Sequence, residues 1–308
     1  MKTAILSALL TLAAPSVTIH PAQLDRGPDV AGPHVEGRTL VDGSTRLTFH
    51  DPVVTYLGRS GERYVVHLMT HNGTRPRVVA VGGGERRTVL ARGVQAAEAV
   101  LSDDGKDLLT GRWRGRTGTV VRVVSARTAR PVAERHLRGA VSLLDADAGL
   151  VVLGGWRPAR TLTWSYRTGE MHRVNGRSGY LASISADRLA SYTGDPYRGG
   201  CSALTTLDGQ RLSRSCAERV VAISPSGHRV ATVGLLADGP GSSAAHVRRA
   251  AGGRELVEYR APYVFGRISW EDDQTLLLDT LTTRKVATVR CVAEECERAS
   301  AIRPSPIS

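Results

Sequence analysis

Six apolar stretches in this chain of 308 residues each run into a short polar turn and straight on into a second apolar stretch, at nearly constant spacing. The copies begin at Leu57, Leu101, Leu144, Ile184, Ile223 and Ile268. They read LGRSGERYVV, LSDDGKDLL, LDADAGLVV, ISADRLAS, ISPSGHRVA and ISWEDDQTLLL, at steps of 44, 43, 40, 39 and 45 residues. A strand-rich unit of this length cannot bury its faces alone and must stack on copies of itself. A period of about 40 to 45 residues with strand character is the mark of a β-propeller built from four-stranded antiparallel blades, one per repeat. Gly is abundant (33 residues) and Phe scarce (2), and helix-period apolar patterns are few, which suits short strands joined by tight turns.

A second turn recurs about 25 residues into each copy, where the third and fourth strands of a blade would be joined. Gly82-Gly83, Ala126-Arg127, Thr168-Gly169, Asp208-Gly209 and Ala251-Gly252-Gly253 occupy it. Thr-Gly, Asp-Gly and Gly-Gly supply the positive φ that tight hairpins need. The four cysteines fall in the same register: Cys201 with Cys216, and Cys291 with Cys296, lie almost symmetrically about this hairpin in two copies. Residues equidistant from a hairpin turn face each other at bridging distance. Disulfides Cys201–Cys216 and Cys291–Cys296 are therefore expected, and an even cysteine count agrees with an oxidising compartment.

The turns Ile223-Ser224-Pro225-Ser226-Gly227-His228 and Leu101-Ser102-Asp103-Asp104-Gly105-Lys106 resemble those of TolB-type and WD-repeat-like propellers, whose blades carry an Ile-Ser-Pro-Asp-Gly-Lys-type turn between the first two strands. The other four copies match in part, Arg188 standing where Gly is usual and Trp270 where Pro is. The resemblance implies the fold and says little about activity, since propellers host many unrelated roles. Two closures are open. Glu36–Leu40 and Ser44–Phe49 flank Asp42-Gly43 as a further third-to-fourth-strand hairpin, so the ring has either six blades with an added N-terminal hairpin or a seventh, incomplete blade built from both ends. The expected organisation is a signal peptide over 1–22, a linker over 23–35 and one propeller domain over 36–308.

The N-terminus reads as an export signal: Lys2, then 11 apolar residues from Ala4 to Ala14, then small residues. That run is too short to span a bilayer, and no later apolar run reaches the length of a transmembrane helix. A secreted or envelope protein without a transmembrane segment is expected. The net charge of +12 comes from 41 basic residues, all but three of them Arg, interspersed with acidic ones and without long like-charge runs. Such dispersal describes a solvated surface and argues against nucleic acid as a partner.

Catalytic patterns are sparse. No Gly-x-Ser-x-Gly occurs, and Gly82-Gly83-Gly84 lacks the lysine and strand-to-helix context of a phosphate loop. His67 and His71 have a ligand spacing only on a helix, whereas they fall on a strand and its exit. Asp103-Asp104 and Asp272-Asp273 fall on the repeat's turn, where Asp bonds nearby backbone. No metal or other cofactor and no catalytic residue is assigned. The first strands contribute only Glu98 to the axis, which disfavours the alternative of a lactonase-like or glycan-acting propeller enzyme. What recurs is an aromatic beside an arginine in the loops between second and third strands: Trp113-Arg114, Trp156-Arg157 and, next to Asp195, Tyr197-Arg198. These seven residues on one rim are the candidate ligand-binding set, expected to stack on a sugar or flat ligand or to anchor a protein. The expected function is a monomeric, non-enzymatic binding scaffold for a protein or glycan.

Overall fold

The computed structural model describes residues 14–238 and 241–304. These residues form almost nothing but antiparallel β-structure, interrupted by four single-turn 3-10 helices. Residues 53–92, 99–137, 140–175 and 178–215 are four successive four-stranded sheets, each pairing its strands in chain order. Residues 218–298 make two more such units that share one long strand, Glu255–Trp270. Its first half pairs with Ser242–Arg249 and its second half with Thr275–Leu281. Residues 34–48 add a three-stranded sheet ahead of them.

The alternation in the sequence explains why these segments pair. In Arg63–Met69, Asp107–Trp113 and Leu150–Arg157 the second strand of a unit is buried on both faces, since it lies between sheet neighbours and between adjacent sheets. Fourth strands such as Pro131–Leu137 alternate between exposed and half-buried and so form the outside. First strands of successive units adjoin one another from 53–60 through 264–270, and the first and last sheets line one common cavity. The units therefore follow one another around a common axis, with first strands innermost.

The expected hairpins all form: strands end at Gly82, Ser125, Ser165, Thr205 and Arg249 and resume at Glu85, Pro131, Met171, Arg211 and Glu255. In an antiparallel meander, loops between second and third strands and crossovers between units share one face, here the upper face. The other turns share the lower face. Gly139, φ +77°, shows how tightly the upper face is drawn: a Cβ there would sit 1.9 Å from the carbonyl oxygen of Arg157.

Strand direction identifies the strands of the first sheet. Only residues 49–52 join Thr45–Thr48 to the inner strand Val53–Ser60. Four residues reach ~14 Å at most, short of the ~26 Å length of that strand, so Thr45–Thr48 ends on the upper face as a fourth strand does. His34–Glu36 is then a second strand, and the innermost place of this sheet holds no strand among the described residues. A cavity of about 1040 Å³ lies there, between Val35 and Tyr56 on one side and Trp270 and Asp279 on the other. The sheet is incomplete, as its length suggests, but all three strands come from the N-terminal side. The C-terminal Arg303–Pro304 pairs instead with Lys285 and Val286 in the last unit.

The chain ahead of this sheet is built into the last two units. Ser16–Thr18 pairs in parallel with Glu258–Arg260, and Ile19 is fully buried among Val257, Tyr259 and Phe265. Arg298 donates its amide to Asp25 O (2.8 Å) and its Nε to Leu24 O (3.0 Å). Ala31 donates to Glu271 (2.7 Å), which Arg290 also grips. Residues 23–35 thus run along the last unit and bond to it. Of the segment read as an export signal, residues 1–13 lie outside the described residues. No helix among those described is long and apolar enough to cross a membrane.

Candidate functional site

All seven residues of the aromatic–arginine set lie on the upper face. Trp113 ends the second strand of its sheet, Trp156-Arg157 ends that of the next, and Asp195 caps the 3-10 turn Pro196–Arg198 by accepting the Tyr197 amide (3.0 Å). The aromatics are open to solvent: Trp113 is 63 % exposed, Trp156 46 % and Tyr197 68 %. Among the described residues seven large hydrophobic side chains are exposed. Five of them, these three with Leu236 and Tyr263, are on the upper face, while Val132 and Val292 sit at lower ends of strands. Isolated exposed apolar residues need no explanation, whereas five of these seven share one face.

The arginines do not stack on their neighbouring aromatics. Arg114 and Arg157 are exposed, Arg198 lies 3.8 Å from Asp195, and no cation–π contact joins the three sequence pairs among the described residues. Trp156 instead approaches Tyr192, ring centroids 5.7 Å apart, and Tyr192 stacks on Tyr180 at 4.2 Å. An aromatic row therefore leads from the rim to the inner strand Ser178–Ser183. Tyr180 is locked by hydrogen bonds between its hydroxyl and Ser202 Oγ (2.6 Å) and the Val220 amide (3.1 Å), and burial raises its phenol pKa. Tyr197 donates to Asp238 of the next unit, tying neighbouring loops together.

Tyr180 and Tyr192 were not part of the sequence set, although a signal existed. Tyr192 ends the second strand of its unit as Trp113 ends its own. Trp113 and Trp156 each stand 12 residues after the start of their copy, whereas the shorter first turn of this copy brings Tyr192 closer to Ile184, and the same offset falls on Pro196, next to Tyr197.

Beside the row lies a cavity of about 360 Å³ lined by Tyr180, Arg219, Phe265, Arg267 and Ile268. Arg219 donates to Ala237 O (2.9 Å). Inner strands thus bring arginine and tyrosine to the axis. Glu98 does not join them: it closes a capping box by accepting the Gln95 amide (2.9 Å).

The acidic turns serve structure. Asp104 accepts from Ser102 and Lys106, and Asp272 from Gln274 and Thr275, as turn residues do. Other turn carboxylates clamp neighbouring units on the lower face. Asp145 accepts the Ile184 amide (2.6 Å) and Asp273 the Ser226 amide (2.7 Å). Asp103, crowded by burial and by Asp145 and Asp147, has its pKa pushed up to about 6. His67 is fully buried with Nε2 on Val94 O (2.8 Å), a core role. Glu218, His246 and Glu255 approach one another closely enough to hold a cation. Arg248 already fills that place, bidentate on Glu218 (2.7 and 2.6 Å) and bonded to Glu255. Although burial opposes it, the Arg248 and Thr232 bonds hold Glu218 below the ordinary glutamate range.

Both expected disulfides form. Cys201–Cys216 joins the outer two strands at the upper face, and Cys291–Cys296 joins directly opposed residues beside the lower hairpin.

Solved structures share this arrangement. The chain superposes on one from the Mitotic Checkpoint Complex with TM-score 0.57 at 13 % identity, covering 99 % of this chain and 90 % of that one. Kluyveromyces lactis Hsv2 gives 0.53 at 10 %, covering 87 % and 92 %. Pyrococcus horikoshii acylaminoacyl peptidase gives 0.62 at 9 %, covering 85 % of this chain but 47 % of the peptidase. The fold is a β-propeller. At such identities the likeness carries the fold alone, and propellers serve unrelated ends. No protein-family model matches the sequence, and no curated protein is similar to it. The role of this propeller rests on its own residues.

Proposed function

We propose that the protein is an exported, non-enzymatic propeller of seven blades, the first lacking its inner strand, that binds a protein or glycan of the cell envelope or extracellular space through its upper face. The observation that carries this reading is the gathering of Trp113, Trp156, Tyr197, Leu236 and Tyr263 on that face. Aromatics are enriched at binding hot spots because they bury much area for little rotamer entropy. The disulfides support export, and the carboxylates that line the larger cavity are engaged, Glu271 by Arg290, Asp279 by Thr288 and Glu36 beside His34 and Arg46, which favours binding over acid–base chemistry.

The test replaces Trp113, Trp156 and Tyr197 by alanine, singly and together, and measures retention of the folded protein on immobilised envelope material. Each aromatic is expected to weaken retention severalfold, while Val132→Ala, on the lower end of an outer strand, leaves it unchanged. Equal retention of the triple variant and the parent would overturn the assignment of this face.

A further inference from the structure

The cavity at the channel mouth has a chemistry of its own. It is walled by Tyr180, the inner end of the aromatic row, floored by Phe265 and Ile268, and flanked by two guanidinium groups, Arg219 and Arg267. Neither arginine is neutralised by an ion pair among the described residues. Arg219 spends one donor on the Ala237 carbonyl, leaving others of its five. Arg267 makes no hydrogen bond or ion pair among the described residues, and its field reaches Asp279. The acidic groups nearby are otherwise engaged: Asp279 is half-buried and accepts Thr288 Oγ1 (2.6 Å), and Asp238 accepts from Tyr197. Two guanidinium groups line one cavity with no ion pair to a carboxylate among the described residues, an arrangement that suits an anion from outside, and a guanidinium matches a carboxylate in bidentate geometry.

The volume narrows the choice. About 360 Å³ equals roughly a dozen water volumes at ~30 Å³ each and sits at the small end of ligand pockets. It suits one sugar ring with its substituents rather than a long chain. The tyrosine wall offers the flat apolar surface on which the C–H face of a sugar stacks. The row from half-buried Tyr192 to exposed Trp156 would continue such a platform outwards for the next ring.

We propose that this cavity binds a carboxylate-bearing saccharide residue, a hexuronate, with the carboxylate between Arg219 and Arg267 and the ring against Tyr180. This rests on the binding reading of the upper face and commits it to an acidic glycan end group.

The test titrates galacturonate and digalacturonate into the full chain by calorimetry, with glucose and benzoate as neutral-sugar and non-sugar controls, against Arg267→Gln and Val132→Ala. The uronates are expected to saturate, the disaccharide more tightly, with glucose and benzoate at least tenfold weaker. Arg267→Gln should cost tenfold or more while Val132→Ala, on the lower face, leaves both uronates unaffected. Arg267 is exposed and its replacement perturbs no described hydrogen bond, and an unchanged thermal midpoint confirms an intact fold. No saturation by either uronate, or Arg267→Gln binding as tightly as the parent, would overturn the proposal. Equal binding of benzoate would overturn its saccharide part, and equal binding of glucose its anionic part. Retention on envelope material lost in the Trp113/Trp156/Tyr197 variant, with no uronate binding, would remove this pocket and leave the face reading standing.

Discussion

Removing the Cys201–Cys216 bridge by a double alanine substitution tests how the fold supports its upper face. The bridge closes 15 residues of chain and Cys291–Cys296 closes 5. Loop-closure entropy then gives about 3 kcal/mol for the first and about 2 kcal/mol for the second at 25 °C. The first bridge also lies where it steadies the rim. Thr193 and Cys201 bond each other twice, the Cys201 amide on Thr193 Oγ1 (3.0 Å) and the Thr193 amide on the Cys201 carbonyl (2.9 Å). Inside that closure Gly200 bonds Asp195 (2.8 Å) and Tyr197 is displayed to solvent. Urea unfolding of Cys201→Ala/Cys216→Ala should therefore show a loss of about 3 kcal/mol at an m-value close to the parent's, together with faster amide exchange confined to residues 193–201. Cys291→Ala/Cys296→Ala should lose about 2 kcal/mol and leave rim exchange unchanged. A reversed order of the two losses, or rim exchange untouched by removal of the first bridge, would refute the reasoning. Free thiols in the native protein would remove its premise.

Two further outcomes follow from other parts of the molecule. Ile19→Ala, in the segment wound onto the last two units, should cost about 2–5 kcal/mol because its side chain is fully buried in a close-packed cluster, and intact mass should place the start of the native protein at or before Ser16. Asp103→Asn removes a carboxyl whose folded pKa stands above its unfolded value. The ionised form is penalised in the fold, so the favourable contribution is complete below about pH 4 and lost as pH rises through about 6; the thermal midpoint of the variant should rise relative to the parent between those values, and a constant difference would contradict this.

Features governed by local turn chemistry were legible in the sequence. Thr168-Gly169 and Asp208-Gly209 mark hairpins because positive φ favours Gly, and the cysteines declare register because opposed strand residues are equidistant from a turn. Features depending on distant partners were not. Ser16–Thr18 is too short to announce itself and gains its place only by lying parallel to residues more than two hundred positions away. Glu255–Trp270 reads as two strands because nothing local shows that the crossover stays extended. Asp103, Asp145 and Asp273 look like ordinary turn acids, yet the latter two bond amides of neighbouring units. The rim was legible in Trp113 and Trp156, whereas the approach of Trp156 to Tyr192 was not, because the shorter turn of that copy moves Tyr192 out of the repeat's register.

The most direct test of the binding face is hydroxyl-radical footprinting of the intact protein with and without envelope extract. Our account predicts protection at Trp113, Trp156, Tyr197, Leu236 and Tyr263, with Val132 and Val292 labelled equally in both samples. Protection centred on Val132 or Val292, with the upper-face aromatics still fully labelled, would contradict it.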